Sequence, residues 1–350
     1  MTTHISNSKQ SPYWVSSEDW HTAGEPFRIV SELPPHASTT GSTVRERRLN
    51  IVNTPHHPLD ILRQALCQEP RGHADMYGGF ITPPDDEGAH FGVLFWHKDG
   101  FSTACGHGTI ALGYWAINNG IVKPQSQDGI TEVIIDVPSG RVTASLTLEK
   151  GEIVFADFVN VPSYQLAQNV SITLPSTGIS IKLDLSWGGA VYAYVDASQF
   201  GLKVDEKGHD DFVKLGREIK ATLGEKGHHK GLELYGVCFY TDGEDTKEMF
   251  TSRNVVVFAD GQIDRSPCGS GTAARAALLH AQGKLPQGKV LQHYSIINTL
   301  FKAQVLAKSD ESPTEFGAVI PQVRGLANLM GRNSFYIDQA DPTFPGFVFR

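Results

Sequence analysis

The sequence predicts an α/β protein of two similar, strand-rich lobes with a cleft between them, and three observations carry that prediction. A chain of 350 residues exceeds one ordinary domain and suits two, each able to bury its own core. Short β-branched or alternating runs, punctuated by 35 glycines and 19 prolines, outnumber the stretches of helical periodicity. The heptapeptide Cys-Gly-x-Gly-Thr-x-Ala occurs twice, as CGHGTIA from Cys105 and as CGSGTAA from Cys268, 163 residues later.

Taken in chain order, residues 1–12 are polar and read as a disordered tail. Strand-like runs follow at 27–32, 43–53, 92–97, 131–137, 141–161, 171–175, 179–187, 190–196, 233–242 and 253–260. Helical periodicity marks 57–70, 108–120, 208–227 and 271–285. Each copy of the repeat follows a strand-like run (GVLFWH or VVVFAD), opens a helical pattern, and reaches a glycine 15 positions after its cysteine, Gly120 and Gly283. A glycine there suits a helix C-cap. The first lobe is therefore expected over 13–170 with Cys105 and the second over 171–350 with Cys268, the last residues being free to cross back. A polar, turn-rich linker is expected at about 165–185.

Composition narrows the partners. The net charge is −8 and no Lys/Arg run is long enough to track a phosphate backbone, which argues against nucleic acid. The N-terminus lacks an apolar leader and no stretch reaches the roughly 18 apolar residues of a membrane span, so a cytoplasmic chain is expected. Four cysteines without a CxxC pair argue against a disulfide framework or a zinc cluster. His56-His57 and His228-His229 read as exposed loop residues, not metal ligands. No cofactor motif is evident, and a small molecule is the expected partner. A homodimer is neither signalled nor excluded.

A thiol at a helix N-terminus meets the positive end of the macrodipole and the unpaired amides of the first turn, which favour thiolate. Cys105 and Cys268 are thus expected as bases near neutral pH. The glycines beside them let backbone amides approach a carboxylate closely. With a substrate so held, one thiolate can remove an α-proton while the other thiol returns one to the opposite face. Cys67 and Cys238 read as packing residues.

At these residues the chain resembles the proline racemase family, which includes proline racemase, 4-hydroxyproline 2-epimerase and trans-3-hydroxy-L-proline dehydratase. The resemblance runs from about Trp20 to the C-terminus, through HTAGEPFRIV, EPRGHADMYG, GVLFWHKDGFSTACGHGTIALG, WGGAVYAYV and VVFADGQIDRSPCGSGT. It implies two α/β lobes of the diaminopimelate epimerase type, each a barrel-like sheet around a central helix, with a cofactor-independent site in the crevice. It implies that Cys105 and Cys268 are the acid/base pair, that Gly106, His107, Gly269 and Ser270 hold the carboxylate, that Asp264 receives the ring amine, and that Phe258 packs on the ring. His107 acts through its ring or only through its backbone N–H. Asp264 and Phe258 have plainer readings as a turn cap and a core residue. His21, Glu25, His73 and Asp75 support the cleft wall.

The surroundings are most similar to the dehydratase branch, where threonine typically replaces the second cysteine, whereas this chain has Cys268. Racemisation or epimerisation of proline or a hydroxyproline is the favoured expectation, dehydration of trans-3-hydroxy-L-proline the alternative, and non-catalytic amino-acid binding a third reading.

Overall fold

The structure, a computed structural model, describes residues 11–349. Of the expected tail, only Ser11 and Pro12 are described, as exposed coil before the first strand; residues 1–10 lie outside the described residues.

The first half of the chain forms β1 (Tyr13–Thr22), β2 (Glu25–Val30), α1 (Val44–Val52), α2 (Pro58–Cys67), β3 (Tyr77–Thr82), β4 (Phe91–His97), β5 (Gly100–Phe101), α3 (Gly106–Asn118), β6 (Gly129–Val137), β7 (Gly140–Glu149) and β8 (Glu152–Val159). The second half forms β9 (Tyr164–Thr173), β10 (Ser180–Trp187), β11 (Val191–Asp196), α4 (His209–Leu223), β12 (Leu234–Asp245), β13 (Met249–Phe258), β14 (Gln262–Asp264), α5 (Gly269–Ala281), β15 (Val290–Tyr294), β16 (Leu300–Ser309), β17 (Ala318–Gly325) and β18 (Ala327–Ile337).

Strand pairing repeats one plan twice. In the first half β2 runs parallel to β3 and β4 parallel to β6, the rest of β1 to β8 pairing antiparallel. In the second half β11 runs parallel to β12 and β13 parallel to β15, with antiparallel neighbours on either side. Parallel neighbours need a crossover, and helices supply it: α1 with α2, and α3, in one half; α4 and α5 in the other. The plan closes by exchange, because β18 pairs with β1 and β17 with β8.

The central helices are buried almost all round. Gly106 through Ala116 of α3 and Gly269 through Leu279 of α5 are continuously buried, as expected of helices apolar on every face. Both end where the sequence places a C-cap, with Gly120 at φ 67° and Gly283 at φ 74°, in the left-handed region.

Two expected segments take another form, and strands β1, β3 and β15 to β18 lie where no strand was expected. Residues 43–53, whose apolar and β-branched content reads as a strand, form α1, because Thr43 and Glu46 make a reciprocal capping box. Residues 165–185, expected as a linker, lie largely within the β9–β10 hairpin, whose polar residues face solvent on one side. At the far end, Glu69 and Phe347 exchange backbone hydrogen bonds of 3.0 Å and Arg71 pairs with Asp341 at 3.1 Å, so the last described residues lie against the first half of the chain.

Candidate active site

Helices α3 and α5 meet head to head. A Cβ added to Gly106 would lie 2.5 Å from the Cα of Gly269, and one added to Gly269 the same distance from the Cα of Gly106. Only glycine permits that approach. Two helix N-termini thus direct their unpaired amides into one space. Gly106→Ala is expected to wedge the helices apart, because the clashing atoms are backbone and cannot swing aside. The overpacking should destabilise the fold by roughly 1–3 kcal/mol, read as a lower denaturant midpoint.

An enclosed pocket lies at this junction. Cys105, Gly106, His107, Cys268, Gly269 and Ser270 border it from the helix starts, and Tyr77, Tyr192, Tyr235, Phe258 and Asp264 from the strands. All eight sequence-predicted site residues therefore come together, both sulfurs on one pocket. Its free volume is only about 10 Å³, about what one water molecule needs. Beside it opens a cleft of about 810 Å³, lined by Arg48, His97 and Ser102 on one side and by Lys220, Leu234 and Tyr235 on the other. Tyr235 borders both spaces.

The two thiols are held differently. Cys105 is a regular N-cap at φ −155°, its sulfur accepting the Gly108 N–H at 3.2 Å. The His107 ring sits 3.5 Å from that sulfur, edge-on to Tyr77, and its carbonyl accepts the Thr22 hydroxyl at 2.8 Å. Cys268 has φ 65°, a strained conformation for any residue with a Cβ. Its sulfur closes no capping bond with α5 and lies 3.6 Å from the Tyr192 hydroxyl. Three hydrogen bonds hold the strained turn: Asn254 and Thr272 both donate to the Pro267 carbonyl, at 2.8 and 3.0 Å, and the Cys268 N–H donates to Ser266 Oγ at 3.0 Å. Asn254→Ala is expected to destabilise the protein by roughly 1–3 kcal/mol, since it leaves a buried carbonyl short of a donor. Thermal unfolding would measure it.

Electrostatics correct one expectation. Burial pushes both thiols well above the usual cysteine value, and the Asp264 carboxylate pushes them further. The Gly108 amide at Cys105, and Tyr192 with the Gly271 amide at Cys268, recover only part of this. In the closed pocket both groups are thiols. Desolvation outweighs the helix termini because both cysteines are only 5% exposed. His107 is neutral, pushed down to about 3 by burial and by Arg265.

Asp264 and its neighbours form the other wall. Asp264 Oδ1 accepts the Ser266 N–H at 2.9 Å and the Ser266 hydroxyl at 2.7 Å, so it does cap a turn while also bordering the pocket. Burial raises its carboxyl to about 6. The supporting residues clasp this segment from the first half of the chain. Glu25 Oε2 accepts the Arg265 backbone N–H at 2.9 Å and pairs with its guanidinium at 2.8 Å. The Arg265 guanidinium donates to the Asp75 carbonyl at 3.1 Å, and Gln262 donates to the Ala74 carbonyl. His21 and His73 accept nearby backbone N–H groups from Gly24 and Asp75.

The sequence reading missed a ring of hydroxyls. Tyr77 bonds Ser102 and lies 3.2 Å from Tyr235, whose ring stacks on Phe258 at 5.7 Å. Tyr77 and Tyr192 lie inside quoted motifs, but only the pairing of β3, β11 and β12 with their neighbours brings them to the thiols. Cys67 and Cys238 are core residues, both pushed up to about 12 by burial. His57 is buried, not exposed: its Nδ1 accepts the Leu59 N–H and caps α2. Among the described residues no cluster of three His, Cys, Asp or Glu side chains could hold a metal ion, and no helix is long and apolar enough to cross a membrane.

Two halves of one plan, joined where two helix starts meet, give this enzyme the fold of the proline racemase-like proteins. The chain belongs to the proline racemase family, whose profile matches residues 18–348. It is 35% identical to the proline racemase of Clostridioides difficile over 96% of this chain and 98% of that one. It is 40% identical to a trans-3-hydroxy-L-proline dehydratase of Bacillus cereus, over 94% and 96% of the two chains. A crystal structure of a hydroxyproline epimerase from Agrobacterium vitis, with bound trans-4-hydroxy-L-proline, superposes with a TM-score of 0.86 at 25% identity, covering 96% of each chain.

Proposed function

We propose that this enzyme epimerises proline or a hydroxyproline at Cα by proton transfer between Cys105 and Cys268. One observation carries the reading: both sulfurs border one closed pocket at opposed helix N-termini, and neither is replaced by an alcohol.

The amides of Gly106, His107, Gly269 and Ser270 hold the substrate carboxylate, and Asp264 takes the ring ammonium. The Cα–H bond breaks as its proton moves to one thiolate. The electron pair delocalises into the carboxylate as an enediolate, which the converging amides stabilise. The opposite thiol then delivers its proton to the other face, and the two sulfurs exchange protonation states. Phe258 packs on the ring, and the hydroxyls of Tyr77, Ser102 and Tyr235 suit a substrate that carries a ring hydroxyl.

A second reading, dehydration of trans-3-hydroxy-L-proline, is favoured by the 40% identity to the Bacillus cereus dehydratase. There the same carbanion expels the C3 hydroxyl, the Cys268 thiol protonates the departing oxygen, and the enamine tautomerises to Δ1-pyrroline-2-carboxylate. Incubating the enzyme with L-proline, trans-4-hydroxy-L-proline and trans-3-hydroxy-L-proline in deuterium oxide separates the two. Chiral chromatography should show C2 epimers labelled at Cα. Pyrroline formation from the 3-hydroxy substrate with no epimer from any of the three would overturn the first reading.

The pH dependence has a defined shape. Because the base is a thiol raised above its usual value, log kcat/KM should climb with a slope near one from pH 6 to pH 9. Below pH 6 the slope should approach two, as Asp264, titrating at about 6, also gains a proton and loses its hold on the ammonium. A plateau between pH 7 and 9 would contradict this.

A further inference from the structure

The repeat that builds the site is not symmetric at its sulfurs. Position two after each cysteine is His107 in one copy and Ser270 in the other. His107 faces the Cys105 sulfur directly, whereas Ser270 bonds the Tyr192 hydroxyl at 2.7 Å and Tyr192 faces the Cys268 sulfur. Cys105 has the Gly108 N–H in a regular cap at 3.2 Å, while at Cys268 the Gly271 amide lies near the sulfur without closing a cap. We propose that Tyr192, backed by Ser270, is the positioning residue that stabilises the Cys268 thiolate, reinforcing at this sulfur a Gly271 amide that closes no regular cap of the kind Gly108 makes at Cys105.

The hydroxyl pair can serve both states of the sulfur. With Cys268 a thiol, S–H donates to Tyr192 Oη and the phenol O–H donates to Ser270. When Cys268 loses its proton, the phenol O–H turns to the sulfur and the Ser270 hydroxyl donates to the phenol oxygen. No proton is gained or lost by Tyr192, and burial keeps it neutral.

The Gly271 amide also favours this thiolate, though without closing a cap, and the remaining groups facing the sulfur cannot replace Tyr192. Asp264, from the segment before α5, repels a thiolate. Tyr194, on β11, has its hydroxyl committed to the Gly271 carbonyl at 2.6 Å, and Tyr235, on β12, faces Tyr77 on β3 at 3.2 Å. Cys238, on β12, accepts from Asn254, and the Arg275 guanidinium on α5 binds Asp242. Cys105 borders the same pocket, Tyr77 on β3 shares its hydroxyl with Ser102 and Tyr235, and Arg265 is held by Glu25.

Tyr192→Phe keeps the ring and its edge contact with Tyr235 at 5.6 Å, so the pocket wall is preserved. The test is alkylation by iodoacetamide across pH 7 to 11, with labelling at Cys105 and Cys268 quantified separately by peptide mass spectrometry. The expected result is an upward move of the Cys268 midpoint by about one pH unit, a tenfold loss of thiolate at fixed pH, with Cys105 unmoved. Ser270→Ala should move the same midpoint in the same direction by less. An unmoved Cys268 midpoint, or equal movement at both sulfurs, would overturn the proposal.

The kinetic counterpart rests on the epimerase reading: a roughly tenfold fall in kcat for epimerisation and an alkaline shift of its pH profile. Should no substrate be epimerised, that reading fails while the alkylation result still decides the role of Tyr192.

Discussion

Cys105→Ser is expected to lower turnover by about 10³-fold or more, whichever of the two reactions is assayed. The change removes one polarisable atom and adds no volume, so the buried N-cap and the fold should persist. A serine hydroxyl is a far weaker acid than a thiol, and the burial that already raises Cys105 acts on the alcohol as well. Without an accessible anion at this position, no base stands on that face of the substrate. Far-ultraviolet circular dichroism and the thermal midpoint serve as folding controls. Activity within tenfold of the unmodified enzyme would remove Cys105 from the chemistry.

Cys268→Thr is expected to separate the two reactions. Epimerisation of trans-4-hydroxy-L-proline should fall by about 10³-fold, because an alcohol cannot readily return a proton to the opposite face. Elimination from trans-3-hydroxy-L-proline, which needs one base and assistance to a departing hydroxyl, should emerge or persist. The Thr variant of the protein would then match the pattern of the family's dehydratase branch. Chiral chromatography and an imine assay read the two products independently. Retained epimerisation in this variant would show that Cys268 is not the second acid.

What the sequence revealed, it revealed through strict constraint. The Cys-Gly-x-Gly-Thr repeat is legible because the helix starts touch through Gly106 and Gly269, where no side chain fits. The fold class followed from the same repeat. Other elements obeyed weaker or more distant rules. Residues 43–53 carry the composition of a strand, and two capping hydrogen bonds decide for a helix. Strands β15 to β18 are half polar, and β17 and β18 pair with β8 and β1, far away along the chain. Tyr77, Tyr192 and Tyr235 reach the thiols from three separate strands, so neither periodicity nor motif spacing relates them. The ionisation of the thiols was half foreseen: the helix ends were visible in the sequence, the depth of burial was not.

Strand β18 seals the β1 edge and β17 the β8 edge, so residues 318–337 supply the final staves of a barrel begun at residue 13. Until residues 318–337 are in place, the first half therefore has two open strand edges. Such exposed edges are templates for misassociation, and pairing across so long a span closes slowly. A nascent chain stalled before residue 318 should need a chaperone, and the pocket between the two helix starts should form last.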